Sequence, residues 1–167
     1  MKTLGITLVC LIVNISTLAA AEPKGAKKFN QAMDQVVQSY LEIQEDLAFD
    51  SINKVGKASK TILEILKKID TSKIEGKNAD YYSKLPKELA TAVSTIAKAK
   101  DLSSARKAFY KVSRPITLWA STAKPNGTTL AFCSMADGGW LQKKGPLRNP
   151  YYGSQMLECG EFVKFSD

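Results

Sequence analysis

The sequence contains no histidine. That one absence removes Ser-His-Asp and Cys-His nucleophile systems, imidazole zinc sites and histidine general bases. Cysteine is scarce, at Cys10, Cys133 and Cys159, so the four Cys or Cys/His ligands of structural zinc are missing. No phosphate loop, cofactor fingerprint or nucleophile–base pair is present, and no enzyme is expected. Internal repeats and low-complexity tracts are lacking too. What is there is one domain's worth of chain: 167 residues, 44% hydrophobic and 24% charged, neither disordered nor polytopic in composition.

Residues 1–21 read as an address. Met1-Lys2 supplies a positive start, Leu4 to Leu18 is largely apolar, and Ala19-Ala20-Ala21 offers small residues to a signal peptidase. This is the three-part pattern of a secretory signal peptide, with cleavage expected after Ala21. The run is shorter than the roughly 20 clean apolar residues of a span, so no transmembrane segment is expected in the mature chain. Cys10 leaves with the leader. The mature protein, residues 22–167, falls from +8 to +7 on losing Lys2. Export to the periplasm or beyond makes nucleic acid an unexpected partner. The scattered lysines read as a solvated basic face, or one weakly drawn to anionic headgroups or an acidic partner.

The middle of the chain reads as four helices. Phe29, Met33, Val36, Tyr40, Ile43 and Leu47 recur at steps of four and three, predicting a helix over about 27–48. Asp50 is the expected N-cap of a second, over 51–69, carrying Ile52, Val55, Ser59, Ile62, Leu66 and Ile69. A polar stretch from Thr71 to Asp80 follows. Leu85, Leu89, Ala92, Ile96 and Ala99 predict a third helix over 80–99, with Pro86 near its first turn. Asp101 or Ser103 caps a fourth over 102–120, bearing Leu102, Ala105, Phe109, Val112, Ile116 and Trp119; Pro115 predicts a kink or an early end. The expected fold is mainly α, an antiparallel four-helix bundle.

After Trp119 the composition changes. Residues 124–167 hold six of the ten glycines, three of the six prolines and both mature cysteines. Thr128 to Phe132 and Glu161 to Phe165 are short alternating runs expected to pair as a small β-hairpin. Within this segment Cys133-Ser134-Met135 mirrors Met156-Leu157-Glu158-Cys159. Two thiols and two thioethers form a soft-donor set, which selects copper(I), and likewise silver(I), over hard cations. Trp140 is a candidate to lie over such an ion, or else to close the end of the bundle with its N–H on a loop carbonyl. The competing reading pairs Cys133 with Cys159 in a disulfide whose loop closure adds about 3.5 kcal/mol, leaving the methionines as core fillers. Reduced, unliganded thiols are the third possibility. Tyr151 and Tyr152, between Pro150 and Gly153, read as a turn packing one ring inward. Nothing sets Asp137 and Glu158 up as a catalytic pair.

The segments Cys133-Ser134-Met135-Ala136, Gly139-Trp140-Leu141-Gln142, Arg148-Asn149-Pro150-Tyr151-Tyr152-Gly153 and Met156-Leu157-Glu158-Cys159-Gly160 resemble an uncharacterised exported bacterial domain family. That domain occurs alone or fused to the C-terminus of periplasmic adaptor subunits of copper/silver efflux systems. Tyr40 to Asp50, Ala105 to Phe109 and Ser113 resemble its helical portion. Ser134 stands where many members have proline. The resemblance implies a helical periplasmic accessory domain near heavy-metal export, with Cys133, Met135, Met156 and Cys159 as metal ligands and an efflux adaptor or another envelope protein as partner. A disulfide-stapled module docking on such a partner without metal is the alternative.

Overall fold

The structure, a computed structural model, describes residues 23–76 and 78–165. The expected signal peptide lies outside the described residues. The order of elements is α1 (Ala26–Ala48), α2 (Val55–Leu66), α3 (Ala79–Ile96), α4 (Leu102–Ala123), β1 (Thr128–Cys133), β2 (Gly138–Lys143), a single 3-10 turn (Gly153–Gln155) and β3 (Glu161–Val163). The protein is mainly helical with a small antiparallel sheet at its C-terminal end.

The apolar stripes account for the helices. Every stripe residue of α1 is buried, as are Val55, Ser59, Ile62 and Leu66 of α2. Leu85, Leu89, Ala92 and Ile96 of α3 join Ala105, Phe109, Val112, Ile116 and Trp119 of α4 in one continuous core. Contacts run from α1 to α2, α2 to α3, α3 to α4 and α4 back to α1. Asp101 caps α4 as expected: its carboxylate accepts the Ser104 amide at 2.7 Å, and the Ser104 hydroxyl accepts the Asp101 amide.

Two local expectations are corrected. Asp50 does not cap α2, which begins at Val55 rather than at 51; the Lys54 amide donates instead to the carboxylate of Asp46, at 2.7 Å. Asp50 sits in the left-handed region, at φ 58°, where the chain leaves α1, and its carboxylate is occupied elsewhere. Pro115 does not end α4, which continues to Ala123 because Ile116, Trp119 and Ala120 anchor the following turns in the core. Pro86 also lies within a helix, one turn deeper into α3 than the first.

The sheet has the order β2-β1-β3. The two predicted runs do pair, Leu130 with Val163, Ala131 with Phe162 and Phe132 with Glu161, but β2 lies between them in the chain, so they form no hairpin, and the second strand ends at Val163 rather than Phe165. Sequence reasoning missed β2, the longer partner of β1, in a register running from Thr128 with Lys143 to Cys133 with Gly138. Its signal was hidden because it opens on two glycines and then buries Trp140, Leu141 and Gln142 in succession, so no period of two shows. The sheet rests on the helices through β2, which contacts α4 and α1. Tyr40 of α1 and Ser113 of α4 bond to β2 directly, at Leu141 and Gly139.

Candidate functional site

Cys133 is the last residue of β1, and Cys159 lies two residues before β3. The antiparallel pairing of Phe132 with Glu161 therefore brings the two cysteines side by side. Their Sγ atoms are 3.0 Å apart, and both are free thiols. The two are not equivalent. Cys133 is fully buried, whereas Cys159 is half-buried.

Hydrogen bonding makes the inequality chemical. Burial pushes the Cys133 thiol up, while the adjacent Cys159 thiol, the Ala136 and Met135 amides and the Asn149 side chain pull it down. Together they outweigh burial, and Cys133 is held below the ordinary thiol range. Cys159 moves the other way. Donating to Cys133 keeps its proton on, and burial and the neighbouring negative charge add to that. The buried sulfur is thus the more acidic of the pair, and the more accessible one the less acidic.

Asn149 organises the surroundings. It is fully buried, with Nδ2 donating to the Cys159 carbonyl at 2.8 Å and Oδ1 accepting the Tyr151 amide at 2.8 Å and the Tyr152 amide at 3.3 Å. Its own amide donates to the Leu157 carbonyl at 2.8 Å, and its carbonyl accepts the Gly153 amide at 3.0 Å. One side chain thus fixes the 149–153 turn and the strand of chain carrying Cys159. No role was read for Asn149 from the sequence; an Asn-Pro pair before two tyrosines was the available signal.

The other predicted site residues are distributed around this pair. Each methionine lies close to its own cysteine along the chain: Met135 follows Cys133 by two residues, and the Cys159 amide donates to the Met156 carbonyl at 3.0 Å. The Met135 side chain is 65% exposed and Met156 is half-buried. Trp140 is fully buried, and its N–H donates at 3.0 Å to the side-chain carbonyl of Gln142 rather than to a loop carbonyl. Its ring meets Tyr151 edge-on and lies over Gly160, where an added Cβ would stand 2.9 Å from it. Tyr151 packs inward, as the turn reading expected, and its hydroxyl donates to the Gly139 carbonyl at 2.7 Å. The Tyr152 hydroxyl donates to the Met135 carbonyl at 3.0 Å, tying the β1–β2 turn to the 149–153 turn. Glu158 is exposed and lies 3.8 Å from Arg148, and Asp137 occupies the β1–β2 turn at φ 46°.

Helical residues that carried no site assignment hold this cap in place. Tyr40 Oη and Ser113 Oγ are 2.6 Å apart, Ser113 donates to the Gly139 carbonyl at 2.9 Å, and the Leu141 amide donates to Tyr40 at 3.2 Å. Gln44 Nε2 donates to the Arg148 carbonyl at 2.8 Å. Arg106 donates to the carbonyls of Pro150 and Leu47 and pairs with Asp50, whose carboxylate also accepts the Ser154 amide. Polar residues standing on otherwise apolar stripes were the signal: Ser113 lies between Val112 and Ile116, and Gln44 beside Ile43. Such residues are buried only when something polar meets them.

Among the described residues no group of three or more His, Cys, Asp or Glu side chains is placed to hold a metal ion. The chemistry available at the site is that of two adjacent sulfurs: coordination of a soft ion, or making and breaking a bond between them. Among the described residues no helix is long and apolar enough to cross a membrane. Comparison with curated proteins and with solved structures finds no match. The sequence pattern of one family matches residues 36–128, more than half of the chain, taking in α1 from Val36 through α4 to the first residue of β1 and stopping short of both cysteines. The chain belongs to that family, described as "Protein of unknown function (DUF3347)".

Proposed function

We propose that this is an exported, periplasmic accessory protein that takes up a soft monovalent cation, copper(I) or silver(I), as cargo in heavy-metal efflux or resistance. The four helices, in an antiparallel bundle, serve as the platform for the sulfur pair. The observation that carries the reading is the 3.0 Å approach of Cys133 and Cys159. Two thiolates neutralise and exceed the charge of a monovalent ion, and a soft ion is content with few sulfur ligands. The donor set fits such an ion better than zinc, which takes four ligands from Cys, His or carboxylate. The downward shift of Cys133 eases the loss of its proton on uptake, and Cys159 must give up its own as well. Met135 and Met156, one on each flanking turn, are the thioethers that complete the shell or pass the ion to an efflux adaptor.

Titration of the fully reduced protein with copper(I) against a chromophoric chelator tests this. One equivalent per chain is expected, falling by at least about tenfold in affinity in Cys133→Ser and in Cys159→Ser. No uptake by protein whose two thiols titrate as free overturns it.

One observation favours a second reading, a stapled interaction module docking on an envelope partner. β3 is an edge strand, and Phe162 and Val163 on it are 52% and 43% exposed. An apolar edge strand invites a further strand.

A further inference from the structure

The sulfur pair combines three features that a merely structural staple does not need. One sulfur is reachable and the other sealed, since Cys159 is half-buried and Cys133 fully buried. The chain on either side of the pair is pinned, with the Asn149 side chain donating to the Cys159 carbonyl at 2.8 Å and the Asp137 amide to the Ser134 carbonyl at 3.2 Å. Finally, the sulfurs sit 3.0 Å apart as free thiols, so closing them to a bond of about 2.05 Å needs a movement near 1 Å.

We infer that Cys133 and Cys159 form an exchange-active dithiol/disulfide couple whose substrates are external thiols and disulfides, with Cys159 as the sulfur that is attacked and Cys133 as the leaving group. In the oxidised protein, an external thiolate attacks Cys159 Sγ. A sulfur–sulfur bond forms to the incoming group, the Cys133–Cys159 bond breaks, and its electron pair stays on Cys133 Sγ. The charge is left on the buried sulfur, while the bond to the incoming group stays on the accessible one. A second external thiolate then attacks the sulfur of the bound group. The external disulfide departs, and Cys159 takes up a proton and donates it in a hydrogen bond to Cys133. Two external thiols are oxidised and the protein disulfide is reduced. The reverse sequence, driven by an external disulfide, restores the oxidised protein.

The couple is independent of metal uptake, and the test keeps the two apart by working in chelator. The full chain, metal-free and carrying Cys10→Ser so that Cys133 and Cys159 are its two thiols, is equilibrated in buffers of reduced and oxidised glutathione, quenched with acid, and its thiols are counted by mass spectrometry. The wild type is expected to pass between dithiol and internal disulfide without accumulating a mixed disulfide, and its oxidised form to be reduced by the monothiol in native buffer. Cys133→Ser is expected to trap one glutathionyl group on Cys159. Cys159→Ser is expected to react at least about tenfold more slowly, because the remaining sulfur is sealed. Circular dichroism of both variants confirms that they are folded, and the wild-type measurement stands without them. Glutathione attaching as fast to Cys133 as to Cys159 overturns the inference. So does an oxidised wild type that the monothiol reduces only after denaturation. Copper(I) uptake without thiol exchange sinks this inference and leaves the proposed function; exchange without uptake does the opposite.

Discussion

Arg106, in α4, is bound to Asp50, two residues beyond the end of α1, while its Nε donates to the Pro150 carbonyl at 3.2 Å. The Ser154 amide donates to the same carboxylate. One ion pair thus joins two helices to the segment that carries Asn149 and leads to Cys159. An added Cβ at Gly153 would collide with both partners, and Gly153 also has a φ of 57°, so that position has room only for glycine.

Replacing Arg106 by alanine is expected to cost about 1–3 kcal/mol, since three acceptors lose a charged donor at a partly exposed site. Urea unfolding measures the loss. Native-state reaction of Cys159 with a thiol reagent should accelerate in the same variant, because the turn ahead of it loosens. Arg106→Lys should restore little, as one ammonium cannot reach all three acceptors.

Asp50 gives the fold an acid-sensitive joint. Its carboxyl is held below the usual range by the hydrogen bonds of Ser154 and then of Arg106. The unfolded chain therefore binds the proton more readily than the folded one. This contribution is complete above about pH 4, the unfolded carboxylate value, and is lost as pH falls through the lower folded value. Stability of Asp50→Asn, measured by urea unfolding at a series of pH values, should fall less steeply than the wild type below pH 4 and lie beneath it at neutral pH.

Asn149→Ala should be the more damaging change, at about 2–4 kcal/mol, because the Cys159 carbonyl and the Tyr151 amide lose their partner in a buried place. It should also raise the first thiol titration of the pair, since one of the groups that lower Cys133 is gone. Ultraviolet absorbance of the thiolate against pH reads this directly.

Glycine substitutions separate the cap from the helices. A Cβ at Gly160 would lie 2.8 Å from the Phe132 carbonyl oxygen and 2.9 Å from the Trp140 ring, on a residue with φ of 137°. Gly160→Ala should cost about 2–4 kcal/mol and displace Cys159. In α2, a Cβ at Gly56 meets nothing within 4 Å, so Gly56→Ala should stabilise by about 0.5–1 kcal/mol. Chemical denaturation of the two variants should move in opposite directions.

The helices were legible because their information is local and repeated: Phe29 to Leu47, or Ala105 to Trp119, marks a face whatever it packs on. Strand character in the 128–132 and 161–163 runs was legible from short alternation between turn residues, but which strands pair was not, since β2 went unread. Asp50 misled because a carboxylate just after one helix and before the next is a good local cap. Its actual partners, Arg106 and Ser154, are 56 and 104 residues away. Asn149 was silent in the sequence for the same reason, since its value lies in meeting Cys159 and Cys133 from a separate turn. What periodicity cannot encode is which polar groups meet across long separations, and the thiol site is built largely from those.

X-ray absorption of the reduced protein loaded with one equivalent of copper(I) tests the central claim most directly. A first shell made of sulfur alone, lost when either Cys133 or Cys159 is replaced by serine, is the predicted spectrum. A shell of nitrogen and oxygen, or one unchanged in both variants, would contradict it.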